Sequence, residues 1–276
     1  SHTGALVGAD DVFEAALRRA GVVRGLRIND LFSAATTLST QYRAQGEQLL
    51  IVTNGGGPGA MASDRASDLD IPLVELSETT LAALDQVLPS TWSKGNPVDV
   101  IGDAPPERYE QALDILLKEK TIDGILVILT PQAMTYPKEV AEAVVKVAQN
   151  SRKPLLSSWM GETQVGEGRA VLRDAGIPTF STPEAAVEAF SYLSAYYRNQ
   201  QLLLQTPSTL SQRREAPDVE GARMIIEGAL LDGRRVLSES ESKAVLAAFH
   251  VPTAATVVVR SPSEALVMAE ALGFPV

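Results

Sequence analysis

Two groups of residues in this chain have the chemistry to handle phosphate. The first is the glycine stretch Asn54-Gly55-Gly56-Gly57-Pro58-Gly59, set directly after the apolar run Leu49-Leu50-Ile51-Val52-Thr53 and ahead of a helix-forming segment, Ala60 to Leu69. Glycines allow positive φ and let the backbone come close to a ligand, while the first amides of a helix are unpaired and sit at the positive end of its dipole. The second is His2, in the context Ser1-His2-Thr3-Gly4-Ala5-Leu6. An imidazole offers a neutral nucleophilic nitrogen near neutral pH while its other nitrogen keeps a proton. Neither group decides the matter alone. The glycine stretch has neither the usual G-x-G-x-x-G frame nor the Lys and Ser/Thr of a Walker loop, so a plain tight turn between strand and helix explains it equally well. A histidine at the second position of a chain reads more readily as a terminal residue without function.

The elements that would position these residues follow from the apolar patterning. Apolar runs alternate with helical periodicity, as in a parallel sheet covered by helices on both faces. Leu49 to Thr53 leads to a helix from Gly59; Leu73 to Glu75 leads, after Ser77, to a helix over Thr79 to Leu88. Ile125 to Leu129 leads to Lys138 to Gln149, and Leu155 to Ser158 to Gln164 to Ala175. A fifth strand, Pro178 to Phe180, feeds a long helix over Glu184 to Leu204, with Thr182 as its cap and Pro183 in its first turn. This α/β unit is doubly wound and flavodoxin-like, and its ligands belong beyond the carboxyl ends of the strands, where the Asn54 loop, Thr130-Pro131-Gln132 and Trp159-Met160-Gly161 share a rim.

The flanks read differently. Helices are expected from about Ala9 to Ala20, with Asp10 and Asp11 in the first turn and Gly21 as the stop, and from about Asn29 to Tyr42. Gln205 to Asp218 has the Ser, Thr, Pro and charge content of a linker. Beyond it come a helix over Val219 to Leu231, another over Glu239 to Phe249, a strand over Ala254 to Val259 and a helix over Pro262 to Leu272. Asp70-Ile71-Pro72, Gly176-Ile177-Pro178 and His250-Val251-Pro252 each mark a helix handing over to a strand, and Gly273-Phe274-Pro275 repeats the pattern. A strand is thus expected where the chain stops, and the sequence reads as an interior piece of a longer polypeptide.

Composition narrows the chemistry. The absence of cysteine excludes disulfides, thiolate metal sites and cysteine nucleophiles. A formal charge of −10 with no offsetting basic patch argues against nucleic-acid and anionic-membrane surfaces, so phosphate has to be held locally by backbone. No apolar run approaches the roughly 18 residues of a membrane span and no secretory leader pattern opens the chain, which makes a cytoplasmic address the expectation. The two histidines stand far apart without acidic neighbours at ligand spacing, so no metal site is assigned.

A third motif changes the weight of the first two. Asn96-Pro97-Val98-Asp99-Val100 lies in a segment expected to be a loop between two helices. Together with Ser1-His2-Thr3-Gly4-Ala5-Leu6, the helix body Val12 to Gly21 and Thr53 to Gly59, it resembles the NDP-forming acyl-CoA synthetase superfamily, which includes succinyl-CoA synthetase and the ADP-forming acetyl-CoA synthetases. Ile128 to Thr135 and Ser158-Trp159-Met160-Gly161 are similar to the ADP-forming branch. The resemblance implies that residues 1–45 end a first succinyl-CoA synthetase-like flavodoxin lobe, 46–205 form a second such lobe, 206–218 link and 219–276 open an ATP-grasp domain. It implies an acid-thiol ligase that converts acyl-CoA, phosphate and ADP to acid, CoA and ATP through a phosphohistidine at His2. CoA, ATP or ADP and Mg²⁺ would serve the full-length protein, none of them bound by this piece alone, which would be inactive by itself. The partners implied are acyl-CoA, phosphate, nucleotide and the other domains of the same polypeptide, with homo-oligomerisation left open.

In that family the helix behind the glycine loop stabilises the phosphohistidine. By the resemblance Asn54, Gly55, Gly56, Gly57, Pro58 and Gly59 would bind phosphate, with Asn96 and Asp99 in support, Asp99 through hydrogen bonds to loop amides. The same Asn96 to Asp99 segment also reads as a plain turn. Thr130, Gln132 and Trp159 read as strand-end residues without chemistry, Glu162, Glu167 and Arg169 as a solvated helix start, and His250 as a helix-end residue complementing the dipole. A second function stays open, the regulatory, ligand-sensing or assembly region of a GNAT-type protein lysine acetyltransferase. The tail from Tyr196-Tyr197-Arg198-Asn199-Gln200-Gln201 to Thr206-Pro207 resembles those proteins. A stand-alone flavodoxin-like binding module is a third reading.

Overall fold

The computed structural model describes residues 9–205 and 216–275; His2 lies outside the described residues. The chain divides into two compact units between Thr206 and Pro207.

The first unit is built on a five-stranded parallel sheet, β1 (Leu49–Thr53), β2 (Val98–Asp99), β3 (Gly124–Leu129), β4 (Leu155–Trp159) and β5 (Thr179–Phe180), in the order β2-β1-β3-β4-β5. Every residue of β1, β3 and β4 is buried, as the continuous apolar runs require of strands covered on both faces. Helices α4 (Glu78–Val87), α5 (Pro106–Leu116), α6 (Pro137–Ala148) and α7 (Gly166–Asp174) cover one face around Leu84, Tyr109, Leu113, Val144 and Trp159. Helices α3 (Gly56–Asp68) and α8 (Pro183–Leu204) cover the other, around Ala62, Ala66, Val187 and Phe190. The helix after β1 and the helix after β3 therefore lie on opposite faces, and the topological switch point falls between the carboxyl ends of those two strands.

The strand-helix alternation is as expected, with three corrections. The neighbour of β1 is not a strand over Leu73 to Glu75; that segment contributes one bridge, Leu73 to Leu49. The ladder is completed instead by Val98 and Asp99, opposite Val52 and Thr53. Asn96 to Asp99 is thus the approach to a strand, and between the two short segments the Asn96 side chain supplies the missing partners. Its Oδ1 accepts the Ile51 N–H at 3.0 Å, and its Nδ2 donates to Leu49 O at 2.9 Å and Val74 O at 3.1 Å. Helix α3 begins at Gly56, not Gly59, so the glycines form its first turn.

Helices α1 (Asp10–Arg19) and α2 (Ile28–Leu38) pack on α8 within the same unit. Helix α1 has Asp10 and Asp11 in its first turn and Gly21 at φ 79° just beyond its end, as its sequence signals. Helix α2 stops at Leu38, short of Tyr42, where the hydroxyls of Ser39 and Thr40 donate to Thr36 O and Thr37 O and compete with helix continuation. Glu188 on α8 joins α2 to α3 by accepting from Arg27 at 3.2 Å and Arg65 at 2.6 Å. Thr182 caps α8 by accepting the Ala185 N–H, with Pro183 next, as expected.

The second unit holds α9 (Val219–Leu231), α10 (Glu239–Ala248) and α11 (Pro262–Leu272). Residues 254–259 do not form the expected strand: among the described residues this unit has no other strand to pair with, and Val257, Val258 and Val259 are exposed. The helix-to-strand signals are Schellman closures. Asp70, Gly176 and His250 take φ of 53°, 77° and 57°, and the next amides reach back to Ala66 O at 2.8 Å, Leu172 O at 2.9 Å and Leu246 O at 3.0 Å. His250 is therefore the left-handed residue of a helix exit, its ring nitrogen 3.4 Å from Ala216 O.

Candidate functional site

The glycine loop sits at the switch point, and its neighbours consume most of its polar groups. Thr53 Oγ1 accepts the Gly55 N–H at 3.1 Å and donates to Gly55 O at 2.9 Å. Gly59 N–H donates to Gly55 O at 3.2 Å, the first bond of the helix, and Pro58 has no N–H to offer. That leaves the amides of Gly56 and Gly57 without a partner among the described residues, at the exposed end of a 13-residue helix with no side-chain cap. Two unspent donors and the positive end of a helix dipole are groups that can hold an anion without a basic side chain.

The glycines are there for space. None of Gly55, Gly56, Gly57 and Gly59 has positive φ, which removes that part of the sequence argument. A Cβ on Gly59 would meet Thr53 Cγ2 at 3.0 Å and Pro97 Cβ at 3.5 Å, so this glycine lets α3 seat against β1. A Cβ on Gly55 would come within 3.1 Å of Thr130 Oγ1. At Gly57 it would meet nothing within 4 Å and at Gly56 only Asp99 Oδ2, at 3.9 Å, and both glycines are exposed.

Asn54 is 2% exposed and both ends of its amide are committed. Its Nδ2 donates to Thr130 O at 2.9 Å and its Oδ1 accepts the Thr130 N–H at 2.8 Å, clamping the exit of β1 to the exit of β3. Its side chain holds the loop in place. Asp99 is not bonded to the glycine amides; its Oδ1 accepts the Ile101 N–H at 2.8 Å, and its own N–H donates to Ser93 Oγ at 3.0 Å. Ser93 in turn donates to Pro97 O at 2.5 Å. Asn96 acts one layer further back, on the edge of β1.

Several positioning residues carry little sequence signal. Thr53 looks like the last residue of a strand, and Thr130 contributes through its backbone. Arg169 is not part of a solvated helix start: its guanidinium donates to Trp159 O at 2.9 and 2.5 Å and to Gly161 O at 2.7 Å, closing the exit of β4. The Trp159 indole donates to Pro137 O at 2.9 Å. Tyr109 is fully buried on α5 with an unpaired hydroxyl, and burial, then the nearby Asp99 charge, push its ionisation far above the usual range.

These features define a flavodoxin-like lobe with an uncapped helix N-terminus at its switch point. Comparison with known proteins makes the assignment specific. Residues 49–203 match a Ligase-CoA domain, residues 1–38 a succinyl-CoA ligase-like flavodoxin domain and residues 228–276 an ATP-grasp domain. The chain belongs to the Ligase-CoA family, within the NDP-forming acyl-CoA synthetase superfamily. It is 36% identical over 280 residues to the ADP-forming acetate–CoA ligase I of Archaeoglobus fulgidus, covering 100% of this chain and 38% of that protein. It is 29% identical over 276 residues to the ADP-forming 4-hydroxybutyrate–CoA ligase of Nitrosopumilus maritimus, covering 39% of it. Among solved structures, the acetyl-coenzyme A synthetase 1 of Ca. Korarchaeum cryptofilum in complex with phosphate and ADP superposes with a TM-score of 0.69 at 29% identity, over 75% of this chain and 46% of that one. This chain thus spans less than half the length of each of these proteins.

Proposed function

We propose that the chain is the phosphohistidine-stabilising part of an NDP-forming acyl-CoA synthetase, with residues 1–45, 46–205 and 219–276 belonging to three of its domains. In that reaction an acyl-CoA is cleaved by phosphate to an acyl phosphate and free CoA. A nitrogen of His2 attacks the phosphorus, the bond to the acyl oxygen breaks and the carboxylate leaves. The phosphoryl group then passes to a β-phosphate oxygen of ADP as the P–N bond breaks. The amides of Gly56 and Gly57 receive the phosphoryl oxygens, Asn54 and Thr53 hold the loop, Gly55, Pro58 and Gly59 shape it, and Asn96 and Asp99 support it from β2.

CoA and ADP or ATP belong to the complete enzyme, in keeping with the names of its relatives; Mg²⁺ would accompany the nucleotide and is assigned to no residue of this chain. No helix among the described residues is long and apolar enough to cross a membrane, and a cytoplasmic setting suits these substrates. The acetyltransferase reading draws no support from the relatives named above, which are CoA ligases and a CoA synthetase.

The observation that carries the proposal is the pair of uncommitted amides at the switch point of a lobe from this family. The test is incubation of the complete synthetase with labelled ATP and Mg²⁺, or with acyl-CoA and labelled phosphate. Acid-labile label should form and be lost in His2→Asn, and Gly57→Val should slow transfer with the lobe still folded. Absence of label under both conditions refutes the catalytic reading, and an unchanged rate in Gly57→Val reduces the loop to a turn.

A further inference from the structure

The proposed phosphoryl site has an acid at its mouth. A Cβ on Gly56 would lie 3.9 Å from Asp99 Oδ2, so the carboxylate stands at the same helix end as the two free amides. Its orientation is fixed on the other side, where Oδ1 accepts the Ile101 N–H and the Asp99 N–H donates to Ser93. Among the described residues nothing donates to Oδ2, and Asp99 forms no salt bridge. Arg108 is bonded to Val100 O and Asp103, Lys94 is paired with Asp85, and the first turn of α3 carries no acidic side chain. Tyr109 contributes only a neutral buried hydroxyl.

A carboxylate beside an anion site repels a bare anion but accepts a hydrogen bond from one that carries its own donor. We infer that Asp99 is a specificity-determining residue of this site. It selects phosphoryl groups that present an O–H on the phosphorus or an N–H on the group carrying it, and rejects anions that have neither. The inference rests on the reading of Gly56 and Gly57 as the phosphoryl site. Two ligands share the required chemistry: a phosphate that keeps a proton, and a phosphoryl group on an imidazole whose second nitrogen keeps its hydrogen.

Inorganic phosphate and sulfate separate the two effects at about pH 8, where both are dianions and phosphate alone carries a proton. The chain labelled with ¹⁵N-glycine is titrated with each anion while the Gly56 and Gly57 amide shifts are followed. The wild type should prefer phosphate by roughly tenfold, the scale of one charge at this separation partly screened by water. In Asp99→Asn, which keeps an acceptor for Ile101, the two anions should bind within roughly twofold of each other. Asp99→Ser gives a second arm should the amide disturb the turn. Equal affinities in the wild type, or an unchanged ratio in both variants, overturn the inference while leaving the anion site intact. If neither anion moves the Gly56 and Gly57 amides in any of the three proteins, the site reading fails and the inference with it.

Discussion

Asn96→Ala tests whether the edge of β1 depends on one side chain. The substitution removes the acceptor of the Ile51 N–H and the donors to Leu49 O and Val74 O. Leu49 O keeps a second partner, the Val74 N–H at 3.1 Å, so two groups are orphaned, the Ile51 N–H and the Val74 O. Ile51 is 0% exposed and Val74 3%, which keeps water from replacing the lost bonds. At about 1–3 kcal/mol for each unsatisfied buried group, the expected loss is about 3 kcal/mol, or about 6–12 °C in melting temperature for a domain of this size. Tryptophan fluorescence is the suitable signal, because both tryptophans, Trp92 and Trp159, are buried in the first unit and neither lies in the second. Asn96→Asp should be no better than alanine near neutral pH, since a carboxylate would turn an oxygen toward two carbonyls. A loss below about 1 kcal/mol in urea unfolding of the alanine variant would show that the backbone alone closes this edge.

Two further outcomes follow from the same geometry. Gly59→Ala should destabilise the first unit by about 1–3 kcal/mol, because its Cβ would meet Thr53 Cγ2 at 3.0 Å, whereas Gly57→Ala, with nothing within 4 Å, should be neutral or slightly stabilising. Equal melting temperatures for the two variants would contradict this. Glu119, which accepts from Ser77 at 2.6 Å and Thr80 at 2.8 Å, is held at a pKa of about 2 against an ordinary 4.5, chiefly by those hydroxyls. A depressed carboxylate adds stability that is present above pH 4.5 and lost as pH falls toward 2, so the advantage of the wild type over Glu119→Gln in urea unfolding should shrink across that window. A constant difference from pH 6 to pH 3 would rule out the linkage.

What could be read from the sequence was what depends on local pattern. The runs in β1, β3 and β4 are apolar because both faces are covered, and Thr182-Pro183 and Gly21 mark helix ends through backbone chemistry that operates over a few residues. The glycine loop was legible as a strand-to-helix turn for the same reason. The pairing at the β1 edge was not, because Asn96 meets Leu49 and Ile51 across more than forty residues and its bonds leave no periodicity. Arg169 looked solvated because its neighbours on α7 are, yet its guanidinium folds back to carbonyls at the end of β4. The valine-rich segment 254–259 has strand composition and no partner among the described residues of its unit, and a strand is a property of two segments.

The arrangement around Gly56 and Gly57 also bears on why the site has no lysine. Thr53, Asn54, Thr130 and Ser93 spend their hydrogen bonds on fixing backbone, and what remains is two amides, a dipole and the Asp99 carboxylate. A Walker loop adds a cation because it must capture a free nucleotide from solution. In the proposed function a phosphoryl group carried on a histidine of the same enzyme would arrive at a high effective concentration and need little intrinsic affinity. It would also have to leave in every turnover, and binding the ground state tightly would add to the barrier for its transfer. Adding a lysine by Gly57→Lys therefore tests the economy of the site: it should tighten inorganic phosphate binding by the chain and slow phosphoryl transfer in the complete enzyme. Tighter binding with faster transfer would show that affinity, and not release, limits this site.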